Sequence, residues 1–282
     1  MLATTSQRYL GSRRATLFFI SLAAAISCWA LDLNPLRLLS GNNLTLTRDF
    51  LLSSFRPALN YQKPVDGAEP FLLTVIGATL QTLRFALLAM SVAIPCGVIL
   101  AFLASTAWWP DTRRHRIAGI SLRILCLFSR TMIAFARSIH ELIWGLLFIT
   151  AMGLSTDAAI IAVAIPYSGI LAKIYSEMFE EHSRGAQLAL QAIGAGSIAA
   201  FLTGLLPRVL PDLLTYTFYR LECAVRTAAV FGFVGIETIG YRIKLASDEF
   251  HYREVWTYLY VLFALIIIIE WWSRMLRRRM ET

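Results

Sequence analysis

Lysine is nearly absent. It stands only at Lys63, Lys173 and Lys244, and none of the three follows a glycine. A nucleotide-cradling loop of the form Gly-x-x-x-x-Gly-Lys-[Ser/Thr] is therefore excluded, and with it ATP hydrolysis by that route. Charge is scarce as well. Only 16% of the 282 residues are charged, against about a quarter in a soluble domain. The four cysteines (Cys28, Cys96, Cys126 and Cys223) are scattered in apolar context with no Cys-x-x-Cys and no Cys/His pairing. Disulfide and zinc readings are weak, and no metal site is expected. Neither Gly-x-Ser-x-Gly nor His-Glu-x-x-His occurs, and no carboxylate pair with room for a reaction is visible. A membrane enzyme is thereby disfavoured. No internal repeat is evident, which weakens an inverted-repeat secondary transporter.

What the chain has is apolar length. Hydrophobic residues make up 57%, and several uncharged runs approach the ~20 residues that cross a ~30 Å hydrocarbon core. The net charge of +8 could point to nucleic acid, but the basic residues cluster beside apolar segments. That placement favours membrane topology and a lipid environment, with no nucleic-acid partner. The class is an all-α polytopic membrane protein.

Six spans are expected. Ala15 to Leu31 is the first, behind Arg8, Arg13 and Arg14. A cleaved signal peptide has the same outline, but Cys28-Trp29-Ala30-Leu31 matches poorly the small residues that cleavage wants. Asp32 to Pro70, broken by Pro35, Gly41, Pro57, Pro64 and Gly67, reads as an external loop with a short surface helix at Thr47–Phe55. Phe71 to Ala107 comes next, closed by Trp108 and Trp109 at the level of an aromatic belt. Arg113, Arg114 and Arg116 mark the inner side. Arg116, Arg123, Arg130 and Arg137 recur every seven residues; the first three read as an interfacial helix whose arginines reach headgroups. Met132 to Gly153, Ala158 to Ile174 (with Pro166 as a kink), Leu213 to Phe233 and Val255 to Trp272 complete the set. Both termini are then cytoplasmic. Residues 1–70 form an N-terminal span with its external loop, and 71–282 the main membrane domain.

Charge inside the spans is the candidate chemistry. Arg220, Glu222 and Arg226 fall in the fifth span, and Arg137 and Glu141 in the third. A charge at the bilayer centre costs at least ~2.5 kcal/mol, so each must face protein or water. Glu222 and Arg226, and likewise Arg137 and Glu141, stand at i,i+4 and could neutralise one another. Alternatively they line a pathway for an oxyanion, with Thr227 beside Arg226. Arg220 lacks a local acid and is the less neutralised. His140 is a helix-start histidine, more often structural. Gly232, Gly235 and Gly240 permit a close helix crossing or hinge an outer gate. Tyr241, Arg242 and Lys244 offer a polar external surface for a partner, or an ordinary solvated loop.

The stretch Gly185 to Pro211 lies between two spans and is rich in small residues. Ala189 and Ala192 share one face of a short helix. Gly194 and Gly196 end it, and Pro207 and Pro211 mark entry to the next helix. This is the layout of a docking helix just outside a bilayer, within a loop of about 177–211.

The stretch resembles the Glu-Ala-Ala loop of ABC-importer permeases, with Ala189, Gly194, Leu206 and Pro207 at matching spacing. Leu188, Leu190 and Gly204 depart from that pattern. The resemblance is strongest to permeases for phosphonate and related reduced-phosphorus anions. It is carried by Gly204-x-Leu206-Pro207-x-Val209-Leu210-Pro211, by Tyr219-Arg220-x-Glu222 with Arg226, and by Gly232-x-Val234-Gly235 through Ile239-Gly240. Their Gly-Ala-Gly-Gly-Ile-Gly run is Gly235-Ile236-Glu237-Thr238-Ile239-Gly240 here.

The resemblance implies a type I ABC-importer permease fold with about six transmembrane helices and a cytoplasmic coupling helix, in a bacterial inner membrane. It implies a homodimer, two cytosolic subunits that bind ATP and Mg in this chain's stead, and an external solute-binding protein. The cargo it implies is phosphonate, phosphite or hypophosphite, carried past Arg137, Glu141, Arg220, Glu222, Arg226 and Thr227. Coupling falls to Gly185, Ala189, Ala192, Gly194 and Ala195, and binding-protein docking to Tyr241, Arg242 and Lys244. An ion-coupled secondary transporter of a small anion is the alternative.

Overall fold

The computed structural model describes residues 4–31, 41–63, 67, 69–109 and 116–280. These are mostly helical, with no strand among them. The chain divides into two units, Met1–Arg56 and Pro57–Thr282.

The first unit holds α1, Thr4–Ala30, and α2, Gly41–Ser53. The apolar stretch of α1, Ala15–Ala30, is short for a span, and all its side chains are exposed. The surface helix expected at Thr47–Phe55 begins earlier and stops at Ser53. There the Ser53 hydroxyl donates to the Asp49 carbonyl and the Ser54 hydroxyl to the Leu51 carbonyl, at 2.7 and 2.6 Å. Such side-chain bonds compete with continued helix.

The second unit runs α3 (Phe71–Ala104), α4 (Arg116–Ser138), α5 (Glu141–Met152), α6 (Thr156–Glu181), α7 (Gly185–Ala192) and α8 (Ser197–Ala200). A π-turn, Phe201–Leu205, leads into α9 (Leu206–Phe231), followed by α10 (Ile239–Asp248) and α11 (Tyr252–Met280). Five helical segments are long and apolar enough to cross a membrane: Phe71–Ala104, Gly119–Ser138, Thr156–Glu181, Ser197–Val234 and Tyr252–Leu276. The expected Arg113 and Arg114 turn lies outside the described residues.

The third span differs from expectation. Met132 to Gly153 is not one helix, because the chain breaks at Ile139 and His140. His140 is extended (φ −63°, ψ 143°), and its Nδ1 accepts the Leu142 N–H at 3.3 Å, capping α5. The break does not reverse the chain. Arg130 meets Glu180 of α6, and Ala136 meets Gly169. Further on, Glu141 lies one hydroxyl away from Tyr167. The α6 partners thus descend in sequence as the chain climbs through α4 and α5, so both helices run antiparallel to α6.

Helix α6 is the centre. It packs on α3, α4, α5 and α9, and Leu171, Tyr175 and Phe179 are enclosed. Small residues set the crossings. A Cβ at Gly169 would stand 2.9 Å from the Ala136 Cβ and 3.2 Å from the Ile133 carbonyl oxygen. Where lipid is as apolar as Leu, such close approach supplies much of the helix-packing energy. Trp108 is also corrected. Instead of facing a belt it folds back, stacks on Phe102 at 4.7 Å and donates Nε1–H to the Phe102 carbonyl at 2.5 Å.

Candidate functional site

Helix α9 carries Arg220, Glu222 and Arg226. Its 26 residues rise roughly 39 Å at ~1.5 Å each, from the α7 end to the α10 end. The Glu222–Arg226 pair forms, Oε1 to Nη2 at 3.1 Å, with side chains 18% and 51% exposed. Arg226 Nη2 also lies 3.5 Å from Cys223 Sγ. No carboxylate among the described residues pairs with Arg220. Its Nε donates to the Tyr216 hydroxyl at 3.0 Å. Its guanidinium carbon stands 5.5 Å from the Tyr216 ring centre and 5.9 Å from those of Tyr167 and Tyr219.

Next to Arg226 in sequence, Thr227 is the middle of a three-helix relay. Thr227 donates to Glu141 Oε1 at 3.1 Å. That uses its only hydrogen, so the Tyr167 hydroxyl, 3.0 Å away, donates to Thr227. The order is Tyr167 of α6, Thr227 of α9, then the carboxylate of α5. His140 Nε2 lies 3.7 Å from Glu141 Oε2.

Arg137 falls elsewhere. The break at Ile139 and His140 puts it on α4 and Glu141 on α5, so the i,i+4 spacing confers no pairing. Arg137 instead borders a cavity of about 270 Å³ with Arg130, Lys173, Ser176, Glu177 and Glu180. Lys173 pairs with Glu177 at 2.6 Å, and Arg130 with Glu180 at 2.8 Å. Arg130 Nε also donates to the Ala104 carbonyl at 3.0 Å. Arg130 therefore ties the end of α3 to α6.

Helix α7 ends as its glycine requires. Gly194 has φ +97°. The Ala195 N–H reaches the Leu190 carbonyl and the Gly194 N–H the Gln191 carbonyl, both at 3.0 Å. That is a Schellman stop. Gly185, Ala189, Ala192 and Gly194 are exposed, and Ala195 is half-buried. Leu188 and Ile193 add exposed apolar bulk, at 58% and 83%. On the other face Gln187 is enclosed, and its Nε2 donates to the Ala107 carbonyl at 2.6 Å. Its backbone lies where a Cβ on Gly204 would stand, 3.0 Å from the Gln187 Cα.

At the far end of α9, α10 crosses backbone on backbone. A Cβ at Gly240 would overlap the Ala229 carbonyl, and one at Gly232 the Tyr241 amide. Gly235 turns the chain with φ +112°. The Ile239 N–H donates to Thr82 Oγ1 of α3 at 2.9 Å. Tyr241, Arg242 and Lys244 are half-buried on α10, and Lys244 Nζ donates to the Phe233 carbonyl at 3.3 Å.

Residues 74–282 match the model of the binding-protein-dependent transport system inner membrane component. The chain belongs to this family. It is 27% identical over 256 residues to the phosphate-import permease protein PhnE of Mycolicibacterium smegmatis, covering 91% of this chain and 44% of that protein. It is 26% identical over 202 residues to the phosphite transport system permease protein PtxC of Stutzerimonas stutzeri, covering 72% and 70%. The chain spans about half the length of some curated relatives it matches. Among solved structures, a chain of the inward-facing MetNI methionine ABC transporter superposes with TM-score 0.63 at 20% identity, covering 76% of this chain and 99% of that one. The fold is that of type I ABC-importer permeases.

In this permease several site residues were missed from sequence. Tyr167 and Tyr216 reach Arg220 and Thr227 only through the α6–α9 packing, and no local spacing announces that. Gln187 carried a signal: with Gln191 it sets two amides at i,i+4 among small apolar residues, opposite the Ala189–Ala192 face.

Proposed function

We propose that this permease is the membrane-spanning subunit of an ATP-driven importer for a reduced-phosphorus oxyanion, phosphite or a phosphonate, working as a homodimer. A pair of ATP- and Mg-binding subunits press on α7 from the cytoplasm. A solute-binding protein docks outside, against the α10 surface of Tyr241, Arg242 and Lys244. With α1 crossing as a sixth span in addition to the five long segments, both termini lie in the cytoplasm.

The observation that carries the reading is α7. It is a short helix with one exposed small-and-apolar face, anchored on the other face by Gln187 to the chain after α3. A push on that face has a rigid route into the membrane domain. The substrate class is supported by what the relatives are named for, phosphate and phosphite, together with two guanidinium groups, Arg220 and Arg226, on α9.

The test is reconstitution in proteoliposomes with the ATPase and binding protein encoded by neighbouring reading frames. Uptake of phosphite or methylphosphonate should require ATP on the α7 side. Uptake driven by an ion gradient without the ATPase would overturn the reading.

A further inference from the structure

Several arginines lie in the five apolar helical segments. All are exposed except Arg220, which is half-buried. It is also the one enclosed by rings. Tyr167, Tyr216 and Tyr219 stand within 5.9 Å of its guanidinium carbon, and the Tyr216 hydroxyl takes its Nε–H. Aromatic faces attract a cation but do not neutralise it. This full charge in a membrane-spanning helix has no carboxylate partner among the described residues, and Glu222, two residues on, is committed to Arg226.

A guanidinium has five N–H donors, and one is used. The enclosed, unpartnered polar side-chain atoms among the described residues belong to Trp109, Trp144, Gln187, Thr238 and His251. The Arg220 nitrogens are not among them, so the remaining donors open onto accessible space. The cage fixes the Nε edge and leaves the two-nitrogen end as a preformed fork. Such a fork matches two oxygens of an oxyanion. Tyr219, 51% exposed, puts a phenol beside it.

We propose that caged Arg220 is the group that meets the oxyanion inside the membrane, with the Tyr219 hydroxyl as donor to a further oxygen. This deepens the importer reading and rests on it. Fork plus phenol offers three donors, which suits a tetrahedral phosphorus anion over a planar carboxylate with two oxygens. The ring faces share the cation's field, so the anion is held without being trapped.

The test uses the full chain in lipid nanodiscs and the phosphorus-31 linewidth of added phosphite, with methylphosphonate and acetate as comparisons. Wild type should broaden both phosphorus signals saturably, and acetate should not compete. Arg220→Gln should weaken phosphite binding about tenfold or more, and Arg220→Lys less, because charge stays and the fork goes. Tyr219→Phe should weaken phosphite and leave acetate unchanged. Arg274→Gln, which breaks the Glu270 pair at the end of α11, should bind as wild type. All variants are compared at matched helicity and melting temperature. Unchanged binding in folded Arg220→Gln, or no anion binding by wild type, overturns the Arg220 site. Tighter binding of sulfate than of either phosphorus anion, abolished in Arg220→Gln, upholds the site while overturning the substrate class.

Discussion

Gln187 is tethered to Ala107 across 80 residues of chain, Nε2 to carbonyl oxygen at 2.6 Å. It is the enclosed residue of α7, so the tether fixes which face of that helix is left outside. Replacing it with Leu keeps volume but leaves the Ala107 carbonyl without its donor, at a cost of about 1–3 kcal/mol. Hydrogen exchange of residues 185–192 should speed up in Gln187→Leu while α6 stays protected. Equal protection in variant and wild type would show that the tether carries no stability.

The exposed face should be the ATPase contact. Ala189→Trp adds bulk at an open position, so insertion and melting temperature should hold within the small range of surface changes, about 0.5 kcal/mol. ATP hydrolysis in the reconstituted complex should persist and uptake should stop. Normal uptake in that variant would remove α7 from the coupling role.

Gly240 and Gly77 make a matched pair. An Ala at Gly240 would drive its methyl into the Ala229 carbonyl, whereas Gly77 has nothing within 4 Å. Gly240→Ala should lower stability by more than ~2 kcal/mol. Gly77→Ala, in mid-helix, should raise it by about 0.5–1 kcal/mol. Thermal unfolding in one detergent reads both, and a similar small effect at the two sites would contradict the backbone contact.

Topology has a direct check. In a background without the native cysteines, Leu154→Cys and Asp248→Cys should react with an impermeant thiol reagent from outside intact cells. Ser183→Cys should react only after the membrane is opened. Outside labelling at position 183 would invert the assignment of α7 to the cytoplasm.

The Glu222–Arg226 pair is partly solvated, and exposed pairs contribute only about 0.2–1 kcal/mol. The double change Glu222→Gln with Arg226→Gln should assemble normally and lose uptake if the pair lines the path. Full uptake in the double variant would make it a packing contact alone.

Much of this was legible in sequence. Apolar length gave the long helices, and Ala189, Ala192 and Gly194 gave α7 with its stop, because both signals are local. The break at His140 is legible only in part: the histidine reads as a helix start, yet residues 132–153 read as one uninterrupted span. Residues 132–153 hold no proline, and their glycines, Gly145 and Gly153, do not mark it. What interrupts the helix is a histidine ring turned back onto the Leu142 N–H. Misreading that helix also produced the Arg137–Glu141 pair, since i,i+4 has meaning only on an unbroken helix. The tyrosine cage needed α6 and α9 side by side, which no one segment encodes. The division of the chain after Arg56 likewise falls inside the stretch that composition reads as one loop.

The crossing of α10 over α9 has a mechanical side. Gly240 and Gly232 leave no side chain between the two backbones, so nothing soft separates them. A rotamer can absorb a small displacement, but a carbonyl seated against bare backbone cannot. Whatever tilts α10 from its exposed side must therefore carry Ala229 with it. Arg226 rides less than one turn below, so α10 and the Glu222–Arg226 pair form a single stiff lever with no play at the joint.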